Sequence, residues 1–526
     1  MRKNRIIALL FAVTLSLGGC KEEAFKPQKE VIEEPQEKLM ELHLTSSTKY
    51  NDMIFRGEDD GNDKILEIKK HLSQDIQSIY FLFFAPSGRE YILKEQIYYP
   101  VFRSGDSMMS DAFESLTLTD TGVDIKFTPI KVKRSNYKLI VLFNPYKTLL
   151  NKLQLNKTNL KIFESPVSIY PEDPKNELAI HNAYVCKDGP IIIKPTQDNP
   201  NSNSDSSQHH QLFEMTPVSS YYTLSFEGLS VEGGRIGDEV KIYPDVVNKS
   251  FVPFPTYSKM IIRPGVESDF SLPRDGNFTT LKDFDQINAQ FFRIEDSKLS
   301  QTRMGKTMNI ETPSSNPFYG IIPENTVQGP EFFATNCSRL ILALNYAPET
   351  IELGASWASY KGRVFNDEEF KNLITKVTTT EVDKLNAYEQ ALKSDFETGK
   401  SFLENFIKQT TNSKREIDRA NYILSGMNTH SNSYHIRGIS YHYKGICFYA
   451  VPFVHKEIFD SSSSKIFKLY SAVRNHLYHI SVGKIRKPGK AMISRLPTHE
   501  ELKEENTSGF NAGYNYPEKV DMHVEF

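Results

Sequence analysis

Regular alternation of apolar and polar positions begins at residue 39. Met40, Leu42 and Leu44 are apolar, with Glu41, His43 and Thr45 between and after them. A period of two with one apolar side predicts a half-buried strand. Two later runs are apolar almost throughout: Ile79 to Phe84 (IYFLFF), in which Ile79, Phe81 and Phe83 alternate, and Leu139 to Phe143 (LIVLF). The second predicts a strand central in a sandwich, buried on both faces, and Asn144-Pro145 ends it. A short amphipathic helix is expected around Leu149, Leu150 and Leu153. Further strands are expected at Pro190 to Ile193, 221–231, 239–243, Met260 to Ile262, Leu340 to Leu344, Ile439 to Tyr443, Ile446 to Phe453, Leu477 to Val482 and Val520 to Phe526. Over about 383–424 the spacing turns helical. Leu385, Tyr388, Leu392 and Phe396 share one face, Phe402, Leu403, Phe406 and Ile407 another, and Gly399 is the expected break between them. The pattern predicts a mainly β protein of two β-sandwiches, the second with a helical insertion, and no fixed repeat.

Residues 196–211 form a polar, low-complexity stretch that predicts a loop. Prolines at Pro253-Phe254-Pro255 suggest a domain boundary. The expected organisation is therefore a first sandwich over 57–254, a second over 255–487 and a tail over 488–526. The start of the chain has its own logic. Arg2, Lys3 and Arg5 precede an apolar run from Ile6 to Leu15, too short to span a bilayer, and Leu17-Gly18-Gly19-Cys20 follows. Residues 1–20 thus read as a lipoprotein signal with a lipobox, cut before Cys20, whose thiol takes a lipid. An ordinary secretory signal or an anchoring helix is the alternative. Residues 21–37, charged and proline-containing, read as a tether.

Composition changes the picture little. The chain of 526 residues carries a net charge of -3, which gives no reason to expect nucleic acid or an anionic membrane surface as partner. Tyr and Phe are abundant and suit strands. Cys186, Cys337 and Cys447 remain after Cys20, an odd number at wide spacing. They read as buried thiols rather than a disulfide or metal framework. No GxSxG, HExxH, P-loop or dinucleotide-binding glycine pattern is present, so no enzyme chemistry, cofactor or metal is expected. Asp59, Asp60, Asn62 and Asp63 resemble a calcium loop only superficially, lacking its glutamate and helices.

The organisation around the first strand is more informative. The strand at Leu39 to Thr45 is followed by Arg56 and the acidic Gly57-Glu58-Asp59-Asp60-Gly61. A cut between Arg56 and Gly57 releases lipid, tether and strand together, making 21–56 a propeptide. A sheet that loses a strand exposes unpaired backbone and an apolar floor, and such a groove accepts another strand. The far end offers a candidate donor within 519–526: Val520, Met522, Val524 and Phe526 alternate with Asp521, His523 and Glu525. A polar loop from Pro488 to Pro517 gives it reach. The alternative is that both segments are ordinary edge strands of their own domains. Lys49 and Arg89 are other possible cut sites. Lys49 requires a different protease, and Arg89 would remove an apparent core strand.

The segments Tyr443-Lys444-Gly445-Ile446-Cys447-Phe448-Tyr449-Ala450 and Arg474-Asn475-His476-Leu477-Tyr478-His479-Ile480-Ser481-Val482 resemble the C-terminal core of the fimbrillins, the pilin subunits of Bacteroidales type V fimbriae. RNxxYHIxV is the most specific block. The lipobox, the first strand, Arg56, IYFLFF and LIVLFN fall in the family's order, so the likeness covers about 20–150 and 435–490. It implies two transthyretin-like Greek-key β-sandwich domains and export as a lipoprotein held at the outer membrane by Cys20. It further implies trimming after Arg56 by an arginine-specific protease, and assembly with other fimbrial subunits by donor-strand exchange. Arg474, Asn475 and Tyr478 would be framework residues. The chain lacks the longer, tryptophan-bearing C-terminal strand pair of stalk subunits, which leaves stalk, tip and anchor roles open. A monomeric surface lipoprotein that binds glycans is the rival class.

Overall fold

A computed structural model describes residues 39–49, 51–53, 76–104, 107–119, 122–133, 135–169, 181–195, 208–226, 228–263, 266–273, 291–296, 305–310, 318–326, 337–409, 414–460, 465–469, 471–493 and 524–525. The chain is mainly β. The first strand, β1 (Leu39–Lys49), is followed by the short β2 (Asn51–Met53), which pairs elsewhere. Next come β3 (Ser78–Ser87), β4 (Glu90–Pro100), β5 (Phe113–Thr119), β6 (Gly122–Phe127), β7 (Ile130–Lys133) and β8 (Tyr137–Phe143). They are followed by β9 (Tyr184–Cys186), β10 (Ile191–Ile193) and β11 (Gln208–Pro217). All but β2 form one ten-stranded sheet in the order β4-β3-β8-β9-β11-β1-β6-β5, with β7 beside β1 and β10 beside β8.

That sheet folds back on itself. Phe81 of β3 meets Phe127 of β6 edge to face, with ring centroids 5.2 Å apart, although β8, β9, β11 and β1 lie between those strands in the sheet. The two apolar runs now have a physical reason. Phe81 and Phe83 of β3 and Leu139 and Val141 of β8 point into the core enclosed by the first sheet. Leu82, Phe84, Ile140 and Leu142 point the other way, into a core shared with the second half. Strands buried on both faces have no polar side to alternate with.

The second half contains β12 (Ser219–Ser225), β13 (Gly234–Asp245), β14 (Lys306–Asn309), β15 (Phe318–Pro323) and β16 (Arg339–Pro348). A lobe follows: β17 (Trp357–Tyr360), β18 (Arg363–Asn366), helices α1 (Asp367–Thr379), α2 (Ala387–Gln409) and α3 (Lys414–Thr429), then β19 (Tyr434–Ile436) and β20 (Ile439–His442). The chain returns through β21 (Ile446–Pro452), β22 (His476–Val482) and the short β23 (Val524–Glu525). One sheet runs β14-β13-β16-β21, and another runs β2-β22-β12-β15 with β23 beside β22. Sheet membership changes at Val218, ahead of the boundary expected at Pro253-Phe254-Pro255. That stretch sits inside the packing instead: the amide of Phe254 donates to Phe163 O at 2.8 Å. Its prolines mark a junction within a shared core, not a linker.

The helical insertion is larger than the expected 383–424. It begins at Asp367, where Asn366 accepts from the Glu369 amide at 2.9 Å and Glu369 accepts from the Asn366 amide at 3.1 Å. This reciprocal cap closes the first turn. Gly399 does not break a helix; it lies within α2. A Cβ there would come 2.9 Å from Ile436 Cδ1, so glycine permits α2 to lie close on β19. The helices and the sheet β18-β17-β20-β19 enclose their own core around Phe370, Leu392, Phe396, Tyr434 and Tyr441. At its base, the Trp357 indole donates to Tyr346 O at 3.0 Å and stacks on His442 at 3.9 Å. Burial pushes His442 down to about 4, so it stays neutral there. Cys186, Cys337 and Cys447 are buried thiols outside any disulfide, as the sequence implied. Among the described residues no helix is long and apolar enough to cross a membrane.

The RNxxYHI block is a structural joint. Buried Arg474 donates from Nε to Glu324 Oε1 at 2.9 Å, and from Nη2 and Nη1 to Val252 O and Pro253 O at 2.7 and 3.0 Å. Asn475 adopts φ +59°, a conformation asparagine tolerates better than most residues. The Tyr478 hydroxyl accepts from the Val473 amide at 2.9 Å. Arg474→Met strands Glu324 as an unpaired buried charge and is expected to cost about 3–5 kcal/mol in urea unfolding. Tyr478→Phe strands one amide and is expected to cost about 1–3 kcal/mol. Losses below about 0.5 kcal/mol for both would show that the joint is not structural.

Candidate assembly site

β1 is half-buried, as its alternation implies, but it is not an edge strand. On one side it runs parallel to β11, from Glu41 opposite Gln208 to Thr48 opposite Met215. On the other it runs antiparallel to β7 (Leu39 opposite Lys133, Leu42 opposite Ile130) and to β6 (Thr45 opposite Lys126, Lys49 opposite Gly122). Both rows of backbone groups are therefore paired. Met40, Leu42 and Leu44 point inward and are 2%, 0% and 1% exposed. Burial of each contributes about 1.5–3 kcal/mol. Ser46 occupies the next inward position. On the outward side His43 stacks on His210 of β11 with centroids 4.6 Å apart, and Glu41 Oε2 lies 3.7 Å from His43 Nε2.

The partner strand escaped the sequence reading. Gln208 to Gln211 lie in β11, although 196–211 read as a loop. The inward pair Phe213 and Met215, two apart, was the available signal. The parallel pairing with β1, across more than a hundred and fifty residues, has no local signature.

Cys20, Arg56, Gly57, Val520, Met522 and Phe526 lie outside the described residues. Val524 lies in β23, which pairs antiparallel with β22: Val524 is opposite Val482 and Glu525 opposite Ser481. β2 pairs with the same side of β22, parallel, from Asn51 opposite His476 to Met53 opposite Tyr478. The segment just after β1 and the last described strand therefore lie end to end on one strand of the second half. Burial lowers the pKa of His476 at that edge. Lys49 ends β1, and Arg89 is exposed in the tight turn between β3 and β4. Since β3 carries Phe81 and Phe83, a cut at Arg89 would remove a core strand.

No family model matches this chain, and no curated protein matches it. Solved structures do. A protein provisionally named for cell adhesion, from Parabacteroides distasonis, is 10% identical over 86% of this chain and 94% of its own, with a TM-score of 0.37. The tip fimbrial protein Mfa3 of Porphyromonas gingivalis, truncated at its C-terminus, is 10% identical over 59% and 81%, with a TM-score of 0.28. A fimbrial assembly protein of Parabacteroides distasonis is 10% identical over 60% and 98%, with a TM-score of 0.25. These neighbours are cell-adhesion and fimbrial proteins of Bacteroidales.

Among the described residues no group of three or more His, Cys, Asp or Glu side chains is placed to hold a metal. Burial pushes the Cys186 thiol up to about 12, which suits an inert packing role. The seat of β1 is a two-sided slot with an apolar floor. Leu42→Ala is expected to cost about 2–5 kcal/mol and to raise amide exchange throughout β1. Unchanged exchange in that variant would mean that β1 does not depend on its inward face.

Proposed function

We propose that this chain is a structural subunit of a cell-surface fimbrium. In this reading it is exported as a lipoprotein held at the outer membrane by Cys20, then trimmed after Arg56. It joins other fimbrial subunits by strand exchange, in support of adhesion. The observation that carries the reading is the seat of β1. The strand nearest the export signal is an interior strand, and its loss opens two facing rows of backbone groups over an apolar floor. Leaving that slot empty costs several kcal/mol from side chains alone, comparable with the net stability of a whole domain. A trimmed subunit must therefore take up a replacement strand. Val520, Met522, Val524 and Phe526 supply the matching alternation as a donor.

A tip role is the second reading. The pairing of β23 with β22 of its own chain favours it, because a last strand occupied at home is not offered to a neighbour.

Arg56→Ala is expected to leave the protein lipidated on Cys20, membrane-bound and unassembled. N-terminal sequencing of mature wild-type protein is expected to begin at Gly57, and normal fimbriae from the variant would sink the trimming step. Deletion of Val520 to Phe526 is expected to leave a stable subunit that accepts a strand but donates none. Fimbriae of unchanged length from that deletion would point to the tip role.

A further inference from the structure

Ser46 breaks the inward pattern of β1. It follows Met40, Leu42 and Leu44 on the same side and is 0% exposed, yet its hydroxyl has no hydrogen-bond partner. Its register neighbours are Ile125 on β6 and Phe213 on β11. Phe213 in turn stacks on Phe127 at 6.2 Å with the rings nearly parallel. The surroundings are therefore apolar, and a hydroxyl buried there loses water without gaining a bond.

We propose that Ser46 is a built-in weak point of the first strand, and that its position defines what replaces it. The slot fits a strand with apolar side chains at four alternate positions, and β1 supplies only three. The C-terminal segment of a second copy supplies four: Val520, Met522, Val524 and Phe526, with Asp521, His523 and Glu525 between them. Laid along β1 with Val520 in the place of Met40, it puts Phe526 in the place of Ser46. A one-residue slip would turn every one of these side chains outward, and a two-residue slip would leave one of the four inward positions without an apolar side chain, so the fourth position helps fix register. The exchange then runs toward the better-matched strand. This inference rests on the strand-exchange reading for its donor, but the weak point itself concerns the uncut chain alone.

The test uses the full chain. Ser46→Ala deletes only the hydroxyl, and Ser46→Val fills the position. Amide exchange over Leu42 to Ser46 is expected to slow about tenfold in Ser46→Ala, the effect of removing one unpaired buried hydroxyl. Equal or faster exchange in both variants overturns the proposal. A synthetic peptide of the sequence Val520 to Phe526 is then added, and loss of protection in β1 reads its entry. Ser46→Ala is expected to slow entry about tenfold, and a Phe526→Ser peptide is expected to enter about tenfold more slowly than the native peptide. Equal entry of the two peptides overturns the register. If no peptide enters while Ser46→Ala still slows exchange, the donor and the strand-exchange reading fall and the weak point stands.

Discussion

Backbone pairing on both sides of β1 is the constraint on which the first half depends. β11 and β6 are separated by one strand's width, and only β1 satisfies the amides and carbonyls that face across that gap. The same strand floors the core with Met40, Leu42 and Leu44. Without an occupant the sheet divides between β11 and β6, and the edge-to-face contact of Phe81 with Phe127 loses the surface that curves it into place. A strand near the start of the chain thus completes a sheet made mostly from residues well after it.

The halves are held by a different device. β3 and β8 send alternate side chains into two cores, so each core borrows strands from the other's wall. Within the second half Arg474 adds a polar pin, with its guanidinium shared between Glu324 and the carbonyls of Val252 and Pro253. A buried ion pair of this kind brings little net stability but is costly to break on one side. It therefore specifies where Pro253 sits more than it strengthens the fold.

Much of this was legible in local pattern. The period-two run at Met40, the unbroken IYFLFF and LIVLF runs and the buried thiols each follow from burial on one or two faces. What failed was non-local or depended on packing. The pairing of β1 with β11 joins residues far apart in the chain, and the strand residues Gln208 to Gln211 carry no apolar signature. Gly399 reads as a helix breaker until Ile436 is found against it. The start of α1 was readable and missed: Asn366 and Glu369, three apart, form the capping signal, with Asp367 and Glu368 completing an acidic first turn. In the site, the first strand was legible as a strand, but its interior place was not. Ser46 was visible only as one more small polar residue.

The helical lobe leaves and re-enters the second half between β16 and β21, which pair directly with each other from Arg339 opposite Pro452 to Asn345 opposite Ile446. Its two stems therefore emerge side by side, and its core around Phe370 and Leu392 comes from the lobe apart from Met492. A part attached in this way is interchangeable. Its length, charge and outer surface can be rewritten while the register of the supporting strands stays fixed.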